Sequence, residues 1–308
     1  MKRAFLFPGQ GSQVVGMGKE IYEKYEEARR VYDKASEISG IDVKKICFEG
    51  PEEDLNKTEN TQIAILTTSL AILEVLKSKG ISADISVGLS LGEYGALIYS
   101  GIISFVDGIK LIQKRGYYMG NLLPKEEFQM AAVIGLDSSK IEEICKKIND
   151  SGKFLVPANY NCSVQTAISG TEEAVNMATP LLKEAGAKRV IPLKTSGPFH
   201  TVKLKDAKEA YEKELEKIEF HPGKCKVIKN LDGTFYNDND DIKTILANHI
   251  INPVRFDKAI KLMQDEGVEE YVEIGPGKVL TGFVKKENRD AVTYNINSLE
   301  TLEEYLNK

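Results

Sequence analysis

The chain has 308 residues, of which 42% are hydrophobic and 28% charged, and its formal net charge is −5. A chain of this length can bury a large core, as one big domain or two, with the balance of a globular protein. The negative charge argues against general nucleic-acid binding, although local basic patches remain available, and no apolar stretch approaches the roughly 20 residues of a membrane span.

Ala4 to Phe7 reads as a first buried strand. The start, Met1-Lys2-Arg3, is basic, but the apolar run after it is too short for a secretory signal and Gly9-Gln10-Gly11 ends it, so the expectation is a cytoplasmic protein. The glycine-rich segment Phe7-Pro8-Gly9-Gln10-Gly11-Ser12-Gln13 lacks both the G-x-G-x-x-G spacing and the lysine of a P-loop. A glycine turn at the carboxyl end of a strand is nevertheless where an α/β site forms. The main-chain N–H of Gln10 is therefore a candidate oxyanion donor.

Lys19 to Ile38 is amphipathic and charged, which predicts a surface helix; Gln62 to Leu76 is nearly all apolar, which predicts a buried one. Ile85 to Leu89 is the next strand. It enters Gly88-Leu89-Ser90-Leu91-Gly92, a G-x-S-x-G sequence, and a helix-favouring run from Leu91 to Tyr99 leaves it. A serine on a sharp strand-to-helix turn is pushed into an exposed position, and the helix aims its first free N–H groups at whatever the serine attacks. The chemistry this suggests is acyl transfer through a serine ester, with Ser90 as nucleophile. The same five-residue pattern also occurs in ordinary loops.

Ser104 is the expected N-cap of a helix from Phe105 to about Met119. On that helix Arg115 falls between Leu111 and Met119 and within about 60° of Ile112. A guanidinium on an apolar face needs an anionic partner. An internal salt bridge, snorkelling to water and bidentate capture of a substrate carboxylate would each meet the need.

The alternation of strands and long helices up to this point predicts a parallel sheet covered on both faces. The pattern then changes. Phe128–Leu136 reads as strand, Ser138–Asn149 as helix, Phe154–Asn159 and Gln165–Ser169 as strands, Glu172–Glu184 as helix and Lys188–Leu193 as strand. That order, β-α-β-β-α-β, is that of a ferredoxin-like unit. The fold class is accordingly α/β, with a large domain of residues 1–126 and 195–308 and an inserted small subdomain of residues 127–194. A continuous α/β chain is the competing reading.

A serine nucleophile needs a base within hydrogen-bond reach, and the chain offers three histidines. His200, in Ser196-Gly197-Pro198-Phe199-His200-Thr201, follows the insert and opens a new helix; it is either a cleft base or a helix cap or surface residue. His221, before Pro222, looks structural, and His249 lies near a helix end with no role assigned by its context. The acidic run Asn237–Asp241 reads as a solvated turn, and Glu270–Ile274 and Val292–Ile296 as the last strands. Cys47, Cys145, Cys162 and Cys225 stand far apart, with no C-x-x-C and no histidine at ligand spacing, which argues against structural zinc and a disulfide framework.

Several segments in order along the chain together resemble the malonyl-CoA:acyl carrier protein transacylases of fatty-acid synthesis and the related acyltransferase domains of polyketide synthases. They are Phe7–Gln13, Gly88–Tyr94, Lys114-Arg115-Gly116, Met130–Leu136, Asn159-Tyr160-Asn161 with Gln165, Pro198-Phe199-His200, Asn252-Pro253-Val254 and Glu273–Gly277. The resemblance implies a hydrolase-like large domain with a ferredoxin-like insert. It implies Ser90 as the acylated residue, His200 as base and then acid, Arg115 as holder of the malonyl carboxylate, and the N–H groups of Gln10 and Leu91 as the oxyanion hole. It further implies malonyl-CoA as donor, the phosphopantetheine thiol of acyl carrier protein as acceptor, ping-pong order, and no metal or cofactor of the enzyme's own.

Two positions depart from the family's usual pattern. Leu89 stands where the family commonly has histidine. His249 stands where it often has glutamine, a residue whose main-chain carbonyl orients the base, so His249 is expected to act through its backbone. Phe199 matches the malonyl-preferring form. Lys188-Arg189 and Lys285-Lys286 are candidate contacts for an acidic carrier. The alternatives are a trans-acting polyketide acyltransferase, a serine thioesterase or esterase, for which Arg115 has no use, and a carrier-binding module without catalysis.

Overall fold

The computed structural model describes residues 1–195 and 197–308; Ser196, in the segment leading to His200, lies outside the described residues. Ten strands run in chain order: β1 (Arg3–Phe7), β2 (Ile85–Gly88), β3 (Phe128–Ile134), β4 (Leu155–Cys162), β5 (Gln165–Thr171), β6 (Arg189–Pro192), β7 (Lys226–Val227), β8 (Val254–Arg255), β9 (Glu270–Ile274) and β10 (Val292–Ile296). They form two sheets, ordered β10-β9-β1-β2-β7 and β6-β3-β5-β4-β8.

The first sheet is parallel throughout. Its middle strands are buried on both faces, β2 and β9 at every residue, because helices cover both sides. The helix Thr58–Ser78 runs through this core. Its 21 residues are long and apolar enough by composition alone to cross a membrane, which corrects the expectation that no stretch comes near that length. Thr61, Gln62, Thr67 and Thr68 break up the run in the sequence. Folding places 83% of the helix's most apolar window inside the protein, and Thr61 and Thr68 donate to the carbonyls of Leu55 and Ala64.

In the second sheet β3 to β6 pair antiparallel, while β8 joins β4 in parallel. The helices Ser138–Asp150 and Glu172–Glu184 cover one face, packing Ile141, Ile148, Val175 and Leu182 against Ala131, Val133 and Ile168. Strand β8 comes from beyond residue 195 and has two residues, as does β7, too few for any periodicity to announce. The expected single helix over 19–38 is two, Lys19–Lys24 and Glu26–Ser39, because Tyr25 takes an extended backbone with φ −108° and ψ 126°. The N-cap expected at Ser104 is present: its hydroxyl accepts the Asp107 N–H at 3.0 Å.

The turn out of β2 is tight. A Cβ on Gly88 would fall 1.9 Å from the Gly92 carbonyl carbon, and one on Gly92 would fall 2.1 Å from the Phe7 carbonyl oxygen. Both obstacles are backbone and cannot swing aside. Gly92→Ala should therefore destabilise the protein by about 2 kcal/mol or more, as an overpacked core position does, with loss of the Ser90 site. Denaturant unfolding of the variant checks this, and unchanged stability would mean that β1 and β2 have room to part.

Candidate active site

Strand β2 delivers Ser90 onto the tight turn, and the helix Gly92–Ser100 departs from it. Ser90 and His200 are the two described non-glycine residues with positive φ, 55° and 59°. Such conformations cost about 1–3 kcal/mol each and persist only where the surroundings over-determine them. Here they bring two side chains together. Ser90 Oγ lies 2.8 Å from His200 Nε2. On the far side of the ring, His200 Nδ1 lies 2.9 Å from the His249 carbonyl oxygen. A carbonyl only accepts, so Nδ1 carries the proton and Nε2 presents its lone pair to the serine. His249 is the last residue of the helix Ile242–His249. The first turn of that helix is capped by Asp241, whose carboxylate accepts the Thr244 N–H; this end of the acidic run is a helix cap and not simply a solvated turn.

Arg115 is 1% exposed. Its guanidinium donates to Gln62 Oε1 at 2.7 Å and to Ser90 Oγ at 3.1 Å, and lies 5.7 Å from the Tyr94 ring centroid. Among the described residues no carboxylate comes within ion-pair distance of it. Burial rules out snorkelling, and the missing acid rules out an internal salt bridge. A buried cation is thus aimed at the serine with its charge unmatched by the protein.

The main-chain N–H groups of Gln10 and Leu91 donate to no protein acceptor among the described residues. Both residues line the same cleft of about 450 Å³ as Ser90 and His200. Leu89 and Phe199 complete that wall, and Met130, Asn161 and Gln165 of the second sheet form the opposite one. The Asn161 side-chain oxygen is buried with no hydrogen-bond partner. A larger cleft of about 880 Å³ lies beside Ile218–Val227; exposed His221 and the free Cys225 line it, and burial pushes the Cys225 thiol up. Among the described residues no group of three or more His, Cys, Asp or Glu side chains is gathered to hold a metal.

The acyl transferase domain model matches residues 4–302 of the chain. The chain belongs to the acyl transferase family. It is similar to the malonyl CoA-acyl carrier protein transacylase of Bacillus subtilis strain 168, with 43% identity over 98% of this chain and 95% of the relative. The crystal structure of the Clostridium perfringens malonyl CoA-acyl carrier protein transacylase superposes with a TM-score of 0.95 at 43% identity, covering all of this chain and 96% of that one. A malonyl-transacylase solved in complex with a type II polyketide acyl-carrier protein gives a TM-score of 0.95 at 36% identity, covering 100% of this chain and 99% of that one.

This acyl transferase also carries polar groups at its site that the sequence did not single out. Asn230 Oδ1 accepts the Ser90 N–H at 2.7 Å, and its Nδ2 donates to the Gly88 carbonyl. Glu93 Oε1 accepts the Asn230 N–H and the Tyr236 hydroxyl. Glu93 sits inside the quoted Gly88–Tyr94 segment, so a carboxylate on the buried side of a core helix was the available signal. Asn230 and Gln62 had none.

Burial, then the neighbouring His249 and Arg115, push the His200 imidazole well below the usual histidine value of 6.5. Glu93 lies 3.0 Å from His249 Nδ1, and the Tyr94 ring lies 5.7 Å from the Arg115 guanidinium. A depressed base is free at lower pH than an ordinary histidine. Sulfonylation of Ser90 by phenylmethanesulfonyl fluoride should therefore keep its rate down through pH 6.5 and fall only below it. The unfolded chain takes up that proton first, so this group's contribution to stability also declines as pH drops through 6.5. A midpoint at or above 6.5 in the inactivation profile would contradict the burial effect.

Proposed function

We infer that this acyl transferase moves the malonyl group of malonyl-CoA to the phosphopantetheine thiol of acyl carrier protein through a malonyl ester on Ser90. The observation that carries the reading is Arg115, a buried cation without a protein carboxylate, 3.1 Å from the serine oxygen. The malonyl carboxylate supplies the missing negative charge and accepts two parallel hydrogen bonds donated by the planar guanidinium.

In the first half-reaction His200 Nε2 takes the Ser90 hydroxyl proton as Oγ attacks the thioester carbonyl. The oxyanion that forms is held by the N–H groups of Gln10 and Leu91. When the tetrahedral adduct collapses, the carbon–sulfur bond breaks and His200 hands its proton to the departing coenzyme A thiolate. The second half-reaction reverses the roles. The carrier thiol gives its proton to His200 and attacks the ester, and Ser90 leaves with that proton. The His249 carbonyl holds the ring tautomer through both halves. Phe199 and Leu89 wall the acyl pocket with apolar surface. Dividing the transfer lets two large thiols use one site in turn. The chemistry uses protons and an ester only, with no metal or cofactor of the enzyme's own.

Residues 127–194 act as an inserted unit that supplies the outer wall of the cleft, and the protein works in the cytoplasm. Lys188, Arg189, Lys285 and Lys286 are exposed, and Lys286 donates to Gln165 at the cleft wall, so these basic residues suit an acidic carrier at the entrance. A polyketide carrier is the second reading, favoured by the solved complex of a similar transacylase with such a carrier. Relative kcat/KM on the two kinds of carrier separates them.

Intact mass after incubation with malonyl-CoA tests the central step. The wild-type protein should gain one malonyl group and Ser90→Ala none; an adduct of normal mass on the alanine variant rejects Ser90 as the acylated residue. Arg115→Ala should lose about 2–5 kcal/mol of malonyl transfer, the typical cost of removing one partner of a desolvated charge pair, and far less of acetyl transfer. Equal losses for the two acyl groups would place Arg115 outside carboxylate recognition. Reversing Lys188 and Arg189 to glutamate should raise KM for the carrier while leaving that for a small pantetheine thiol unchanged, and added salt should weaken wild-type docking, since exposed charges are screened within about 8 Å. Unaltered carrier kinetics would move the docking surface elsewhere.

A further inference from the structure

We propose that Glu93 is a positioning residue for both members of the Ser90–His200 pair, and that the side chain of His249 acts with it. The proposal rests on the reading of Ser90 as nucleophile and His200 as base. Glu93 is 0% exposed and sits in the first turn of the helix that leaves the serine. Its carboxylate faces inward and has two arms. Through Oε1 it accepts the Asn230 N–H at 3.1 Å and the Tyr236 hydroxyl at 2.8 Å, and Asn230 in turn accepts the Ser90 N–H. Through Oε2 it lies 3.0 Å from His249 Nδ1. The His249 ring stacks on the His200 ring with centroids 4.8 Å apart, and its own carbonyl holds His200 Nδ1.

The Oε2–Nδ1 contact is short, yet Oε2 has no hydrogen bond, so the ring N–H does not point along it. Burying a carboxylate is costly unless polar groups surround it, and the His249 ring nitrogen, the Asn230 N–H and the Tyr236 hydroxyl are the groups that surround Glu93. Ser90 and His200 both hold a backbone conformation that needs support from around it. Glu93 reaches each of them through one intervening residue. A carboxylate needed merely at a helix start would face solvent or its own helix N–H groups. This one binds two segments more than 130 residues further along the chain.

The test uses the full chain with Glu93→Gln, His249→Gln and the double variant. Two rates are read: acylation by malonyl-CoA in a single turnover, and sulfonylation by phenylmethanesulfonyl fluoride, which needs the pair but no malonyl recognition. Each single variant should slow both reactions about tenfold, the scale expected of a small misplacement of reacting groups, with half-saturation by malonyl-CoA changed less than twofold. The double variant should be no slower than the slower single one, because the two side chains act as a unit. The proton NMR signal of His200 Nδ1–H should shift in both singles. Tyr236→Phe, which removes one donor to Glu93, should slow sulfonylation too and serves if Glu93→Gln does not fold. Losses that multiply in the double variant, or lower thermal stability with unchanged sulfonylation and an unmoved His200 signal, would overturn the proposal. Wild-type protein that is sulfonylated but not acylated by malonyl-CoA would defeat the functional reading while leaving the positioning result to be judged by sulfonylation alone.

Discussion

The Gly92 backbone lies against the carbonyl of Phe7 so closely that no side chain fits between them, and Gly88 lies as closely against Gly92. This contact clamps the carboxyl ends of β1 and β2 together. The loop carrying Gln10 leaves one of those ends and the turn carrying Ser90 leaves the other. The serine, the two free N–H groups and the start of the helix Gly92–Ser100 therefore meet at one point by virtue of backbone packing. Every other group at the site is placed relative to that point.

Two buried charges of opposite sign stand behind the pair without touching each other. Arg115 arrives from the helix Phe105–Asn121 and is matched by the Gln62 amide and the Tyr94 ring. Glu93 arrives from the helix after the serine and is matched by Asn230, Tyr236 and His249. Burying ions is expensive, and each must be compensated locally. The protein compensates the carboxylate with its own groups and leaves the guanidinium incomplete toward the cleft. That asymmetry suits a site which must bind a monoanionic acyl group and release it again.

Sequence reading succeeded where chemistry is local. The alternation of apolar strands and amphipathic helices identified the parallel sheet, and the helix Glu172–Glu184 has the expected bounds. Glycines two residues either side of Ser90 identified the turn because its geometry excludes Cβ atoms. Arg115 stood out because an arginine on an apolar face is costly. What escaped was non-local. Asn230 lies 140 residues from the serine whose N–H it receives, in a stretch with no periodic pattern. Gln62 reads as a scattered polar residue in an apolar helix until Arg115 is placed beside it. The kink at Tyr25 and the two-residue strands β7 and β8 are decided by tertiary contacts rather than by local preference. The motifs spread along the chain supplied what spacing alone left open, namely which of three histidines faces the serine.

Strand β8 ties these regions together mechanically. Val254 and Arg255 pair with Asn159 and Tyr160, and Arg255 lies over the Tyr160 ring at 4.4 Å while Asp257 holds its other side. Five residues before Val254, the His249 carbonyl lies 2.9 Å from His200 Nδ1. Asn161, at the cleft wall, is one residue beyond Tyr160. The cleft wall and the carbonyl that holds the His200 ring are thus joined through one strand pairing. One strand pairing therefore separates the residue that lines the cleft, Asn161, from the residue whose carbonyl holds His200, and the two sheets meet at the same segment.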